Sequence, residues 1–218
     1  MQTLFVATGN AHKVEEIRSV LGTTFRVISQ KDLGLYLEPE ETGSTFAENA
    51  RIKALTWARH LGSGSGVQAV DGVLADDSGL EVDVLGGAPG VHSARYAHLE
   101  TGQPGNAPDA ANNDRLLREL TRFPVARWTA RFKCVLALAP VRPGVADDVL
   151  ESETRWFEGA CEGRIQPLGS GVGGFGYDPL FVPEGETRSF AELGASVKNR
   201  ISHRARALAA LWDALREG

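Results

Sequence analysis

Residues 4–28, LFVATGNAHKVEEIRSVLGTTFRVI, decide the fold class. Leu4-Phe5-Val6-Ala7 is an apolar run of strand length, and Thr8-Gly9-Asn10 supplies turn residues behind it. From about Ala11 to Leu21 the apolar residues Val14, Ile17, Val20 and Leu21 share one helical stripe, with Gly22 as the stop. Phe25-Arg26-Val27-Ile28 then reads as a second short strand. Strand, helix and strand at this spacing predict an α/β architecture.

Outward from there, Thr45-Phe-Ala-Glu48 is a capping box, so a second helix starts at residue 45 and runs to about Leu61. The linker Gly62-Ser-Gly-Ser-Gly66 reads as a flexible surface loop. Behind it, Val73-Leu74 leads into Ala75-Asp76-Asp77-Ser78-Gly79-Leu80, a strand expected to end on its two aspartates and turn at Ser78-Gly79. Side chains alternate along a strand, so Asp76 and Asp77 point to opposite sides and at most one serves a given cleft. A helix is expected around 113–121, and the segments 126–139 and 149–158 read as a long antiparallel pair joined by a loop at 140–148. The last helix starts at Ser202 as N-cap, with Leu208, Leu211, Trp212 and Leu215 as its apolar stripe.

At 218 residues, with 42% hydrophobic and 23% charged, the chain is of globular composition and long enough to bury a core without staples. A net charge of −5 argues against a general nucleic-acid binder, while leaving room for a local basic pocket. Cys134 and Cys161 form no CxxC, which fits a reduced, cytoplasmic protein better than a disulfide framework or a zinc site. The opening residues lack the basic n-region of a signal peptide, and no run approaches the ~18 apolar residues of a membrane span. The expectation is a soluble protein without nucleic-acid or membrane partners.

Three polar clusters carry candidate chemistry. Thr8-Gly-Asn-Ala-His-Lys13 stands at a helix N-terminus, where open amides and the dipole suit a phosphate; alternatively, Asn10 caps the helix and Lys13 is solvated. Glu38, Glu40 and Glu41, with Asp76 and Asp77, offer carboxylates of the kind Mg²⁺ shares with phosphates, although a short acidic run is more often a solvated loop. Lys198-Asn-Arg-Ile-Ser-His-Arg-Ala-Arg206 places cations at a helix start, where they oppose the dipole; an anion there explains them better than a solvated face.

Two motifs mislead. Gly171-Val-Gly173-Gly-Phe-Gly176 matches GxGxxG, but Pro167 precedes it and Tyr177-Asp178-Pro179 follows, so the strand–turn–helix context is missing. Phe175 and Tyr177 on that loop either stack on a planar base or pack as a rim. Asp77-Ser-Gly79 matches the aspartic protease loop, yet it occurs once and in a chain with strong helical signals.

Taken together, ATGNAHKVEEI at 7–17, EETGSTFAENARIKA at 40–54, ADDSGLEVDVLGGAPGVHSARYA at 75–97, GGFGYDP at 173–179 and KNRISHR at 198–204 resemble the inosine triphosphatase-like family of nucleoside triphosphate pyrophosphatases. The resemblance covers nearly the whole chain. It implies a single α/β domain over residues 1–218 with two lobes around a long, twisted mixed sheet, an active site in the cleft between the lobes, and a homodimer. It also implies Mg²⁺-dependent hydrolysis of ITP, dITP or XTP, the noncanonical purine nucleotides, to the monophosphate and pyrophosphate. By the same resemblance Thr8, Gly9, Asn10, Lys13 and Lys53 look like triphosphate ligands. Glu41 and Asp77 look like the metal carboxylates, with Asp77 also the catalytic base and Ser78 a substrate contact beside it. Phe175, Gly176, Tyr177 and Asp178 look like the nucleoside-facing loop, with Phe175 on the base, and Lys198, His203 and Arg204 like contacts to the purine and its 6-keto group.

Overall fold

A computed structural model describes residues 2–22, 24–64 and 70–216; Ser65 and Gly66 of the predicted linker lie outside it. The chain opens as read from its first residues: β1 (Thr3–Val6), α1 (Ala11–Leu21) and β2 (Arg26–Ser29), followed by a short α2 (Gln30–Leu33) and the long α3 (Phe46–Gly62). Next come β3 (Gly72–Val82), the short α4 (His98–Thr101), α5 (Asp109–Leu120) and β4 (Thr129–Pro140). The chain continues through α6 (Asp147–Glu153), β5 (Arg155–Ile165), β6 (Phe181–Pro183), α7 (Phe190–Ile201) and α8 (His203–Arg216). The strands form one six-stranded sheet in the order β2-β1-β3-β4-β5-β6. It is mixed, because β1 runs parallel to both β2 and β3 whereas β6 is antiparallel to β5. No helix among the described residues is long and apolar enough to cross a membrane.

The chain divides into two compact units, one of Met1–Asp77, Cys134–Glu158 and Ala207–Gly218, the other of Ser78–Lys133 and Gly159–Arg206. In the first, the α1 stripe (Val14, Ile17, Leu21) and the end of α8 (Leu208, Leu211) bury against Leu4, Val6, Leu74 and Leu136 of the strands. α3 buries Ala50, Ala54 and Trp57, and the Trp57 ring lies 4.5 Å from that of Phe5. In the second, Leu80 and Val82 of β3 join Leu116 and Leu120 of α5, Phe132, Phe181 and Phe190.

Four expectations need correction. β3 does not stop at the aspartates: Asp76, Asp77, Ser78 and Gly79 lie mid-strand, and Ser78-Gly79 is no turn. Residues 147–153 are helical, so β5 starts at Arg155 rather than Val149; Asp147 and Asp148 in the first turn of α6 suit the positive end of its dipole. α5 starts at Asp109, directly behind Pro108, four residues earlier than expected. Finally, α7 precedes the last helix with its own capping box, in which Ser189 accepts from the Glu192 amide and Glu192 accepts from that of Ser189. Ser202 does cap α8, accepting from the Ala205 amide at 3.2 Å.

Gly163 of β5 marks a close approach of β5 to β6 in the second unit. A Cβ there would lie 2.4 Å from the Val182 carbonyl oxygen and 2.6 Å from the Phe181 ring. The backbone of β6 would have to move, a change that costs about 1–3 kcal/mol in a packed core. Gly163→Ala is therefore expected to lower the urea midpoint, with wild-type stability as the contrary result.

Candidate active site

The first unit assembles a charged cluster around β3. Asp77 is 6% exposed, and its Oδ1 accepts from Lys53 Nζ at 2.7 Å. The same ammonium donates to Glu41 Oε1 at 3.1 Å and to the Asp76 carbonyl oxygen at 2.8 Å. Asp77 Oδ2 is buried and has no hydrogen-bond partner. Burial pushes the Asp77 carboxyl above the usual carboxylate range, against the pull of Lys53 and Lys13. Burial also opposes the charge on Lys53, but Asp77 and Glu41 outweigh it and raise its pKa.

Asp76 is tied elsewhere. Its Oδ1 accepts from Lys13 Nζ at 2.5 Å, and its Oδ2 lies 3.2 Å from the Cys134 thiol, which donates to it. Each adjacent aspartate thus takes its own lysine, as the alternation of side chains along β3 requires. These ion pairs are also why two carboxylates sit at 1% and 6% exposure in a strand, since an unpaired buried carboxylate would be far more costly.

The junction of β1 and α1 answers the two readings of its motif separately. Asn10 is the helix cap: its Oδ1 accepts from the amides of His12 and Lys13, at 3.0 and 3.2 Å. Thr8 Oγ1 in turn accepts from the Asn10 amide at 3.1 Å. Lys13 is not solvated; it reaches β3. Thr8 and Gly9 line a cavity of about 800 Å³ together with Arg18, Lys31, Tyr36 and Glu38.

The second unit holds the other predicted residues. Asp178, 1% exposed, accepts from Lys198 Nζ at 2.6 Å and from the Phe175 amide at 2.9 Å. Lys198 Nζ stands 4.3 Å from the Phe175 ring centroid, a cation–π contact. Gly174 permits this: its φ is +75°, and a Cβ would strike Asp178 Oδ2. Gly176 donates its amide to Asp109 at 2.6 Å and accepts from Asn113 at 3.1 Å, which pins the loop to α5. Arg204 is buried and donates to Ser78 Oγ at 2.9 Å, beside Asp77 in sequence.

Two of the predicted rings are buried. Tyr177 is 3% exposed, its side chain is part of the apolar core, and its hydroxyl donates to the Ser93 carbonyl at 2.9 Å. That ring packs in the core rather than at a rim. His203 is buried with its ring stacked on Phe132 at 4.8 Å. Sequence reasoning also passed over Cys134, which reaches Asp76 from β4, and Asn49 of α3, whose Oδ1 accepts from the Gly43 amide at 2.8 Å. Asn49 stands one turn before Lys53, a spacing that puts both on one helix face.

A metal would find hard oxygen donors at Glu41 and Asp77. Among the described residues no group of three or more His, Cys, Asp or Glu is placed to hold one unaided. Two carboxylates, one with an orphaned buried oxygen, nevertheless suit Mg²⁺, which commonly takes one or two carboxylates and fills its shell with water and substrate phosphate oxygens.

The comparisons with known proteins agree along the whole chain. The dITP/XTP pyrophosphatase of Shouchella clausii is 46% identical over 99% of this chain and 97% of its own. That of Pseudomonas syringae pv. tomato is 49% identical over 97% and 96%. Among solved structures, a HAM1 protein from Coxiella burnetii superposes with a TM-score of 0.79 at 36% identity, covering 100% of each chain. The Ham1 family model matches residues 4–214, and with relatives this similar over this length the chain is a member of the Ham1 family.

Proposed function

We propose that this chain hydrolyses the triphosphates of deaminated purines, ITP, dITP and XTP, to the nucleoside monophosphate and pyrophosphate. The carrying observation is Asp77: a buried carboxylate with one oxygen held by Lys53 and the other unpartnered. The unpartnered oxygen has a lone pair open to the proton of an attacking water. The names of the relatives, dITP/XTP pyrophosphatases, support the substrate class.

In this reading the attacking water loses its proton to Asp77 Oδ2 as its oxygen bonds to the α-phosphorus. The α–β bridging oxygen leaves with pyrophosphate. Lys53 holds the base in place, and Lys13, with donors beyond the one given to Asp76, faces the phosphates with Thr8, Gly9 and the first turn of α1. Glu41 and Asp77 would hold Mg²⁺, whose charge would offset that developing on the phosphate oxygens. In the second unit Phe175 offers a ring face to the base, while Lys198 and Arg204 supply donors for a 6-keto oxygen. Adenine presents an amino group there, leaving those donors unpaired at a cost of ~1–3 kcal/mol each. The active form is proposed to be a homodimer in the cytoplasm.

Hydrolysis of ITP, XTP, GTP, ATP and dUTP, each with and without Mg²⁺ and with pyrophosphate separated from phosphate, tests this directly. ITP and XTP are expected to lead, to yield pyrophosphate, and to require the metal. Release of single phosphates, or equal rates for ATP and ITP, would contradict the reading. Lys198→Met is expected to narrow the preference for ITP over ATP; an unchanged preference would remove Lys198 from base recognition.

A further inference from the structure

Glu41 lies on an irregular segment, and something must hold it against Lys53. The segment is fixed two residues later, at Gly43, whose amide donates to Asn49 Oδ1 at 2.8 Å. Because the Gly43 N–H is a donor, the Asn49 atom facing it is the oxygen, which settles the orientation of the amide. Asn49 is 0% exposed, and its Nδ2 is buried without a partner. An orphaned buried donor costs about 1–3 kcal/mol, so this side chain is a poor choice for stability alone. The approach is also tight: a Cβ on Gly43 would lie 2.7 Å from Asn49 Oδ1 and 2.6 Å from Glu48 Cβ. The next two amides, of Ser44 and Thr45, both donate to Glu48, at 2.6 and 3.2 Å. The chain behind Glu41 is thereby tied to the first turn of α3, the helix that one turn after Asn49 presents Lys53 to Glu41.

We propose that Asn49 is a positioning residue: through the Gly43 amide it sets where the Glu41 carboxylate stands relative to Lys53. The inference rests on the proposed role of Glu41 and deepens it. Glu41 would reach a metal from an irregular segment, and a supporting partner of this kind typically changes metal affinity or activity 10–100-fold when lost.

The test is a double-mutant cycle between Asn49→Ala and Glu41→Gln, reading kcat and KM for ITP together with Mn²⁺ affinity by electron paramagnetic resonance. Alone, Asn49→Ala is expected to lower kcat and Mn²⁺ affinity by about 10–100-fold. In the Glu41→Gln background it is expected to add almost nothing, because the carboxylate it positions is gone. Full, independent losses from both substitutions would overturn the inference while leaving the metal role of Glu41 standing. No loss on Glu41→Gln alone would overturn that role and the inference with it. If Asn49→Ala fails to fold by circular dichroism, Gly43→Ala carries the same cycle, since its Cβ forces the latch open from the loop side. Additivity there would likewise sink the proposal.

Discussion

One ammonium group organises the candidate site. Lys53 Nζ, on a side chain 10% exposed, is shared by the carboxylates of Asp77 and Glu41 and by the backbone of Asp76. Withdrawing a lysine from water is unfavourable on its own, and only the surrounding negative charge reverses the balance in favour of its charged form. The dependence is mutual, because two carboxylates this close repel unless a cation sits with them. A substitution at Lys53 would therefore strand Asp77 and Glu41 together, and loss of either acid would leave the lysine less compensated. Position and charge in the site are one property.

The second constraint is the period of the strand. Consecutive residues of β3 face opposite ways, so Asp76 and Asp77 cannot share one partner geometry. Asp76 is engaged on both oxygens, by Lys13 and by the Cys134 thiol. Asp77 is engaged on one only. The free oxygen is what singles out Asp77 as the proposed base, while Asp76, engaged on both oxygens, braces Lys13. Lys13 in turn is carried by α1, whose first turn is fixed by the Asn10 cap.

The parts of the fold that were legible from sequence are those where local signals and tertiary packing agree. β1, α1 and β2 follow their apolar periods, and α3 starts at its Thr45–Glu48 capping box. β3 reads as ending at its aspartates because Asp-Asp-Ser-Gly is poor strand sequence; the lysine partners that hold it extended come from α1 and α3, and no local propensity records them. α7 carries a legible signal too, since Ser189 and Glu192 repeat the box of Thr45 and Glu48. Its apolar stripe is broken by Gly194 at φ +77°, where two helical pieces meet at a kink. Within the site, residue types announced charge and planarity but not direction. Nothing local distinguishes Phe175, under Lys198, from Tyr177, two residues on, whose hydroxyl reaches Ser93 in the core. The Asn49 latch was hidden for the same reason, because its meaning lies in the backbone amide it meets.

The division of labour between the two aspartates is the central claim, and the most direct measurement is kcat for ITP hydrolysis at saturating Mg²⁺ in Asp76→Asn and Asp77→Asn, both shown to be folded. Asp77→Asn is predicted to lose about 10²–10⁴-fold, the usual worth of a general base. Asp76→Asn is predicted to lose clearly less, because it keeps an acceptor oxygen for Lys13. The reverse ranking, or full activity in Asp77→Asn, would contradict the account.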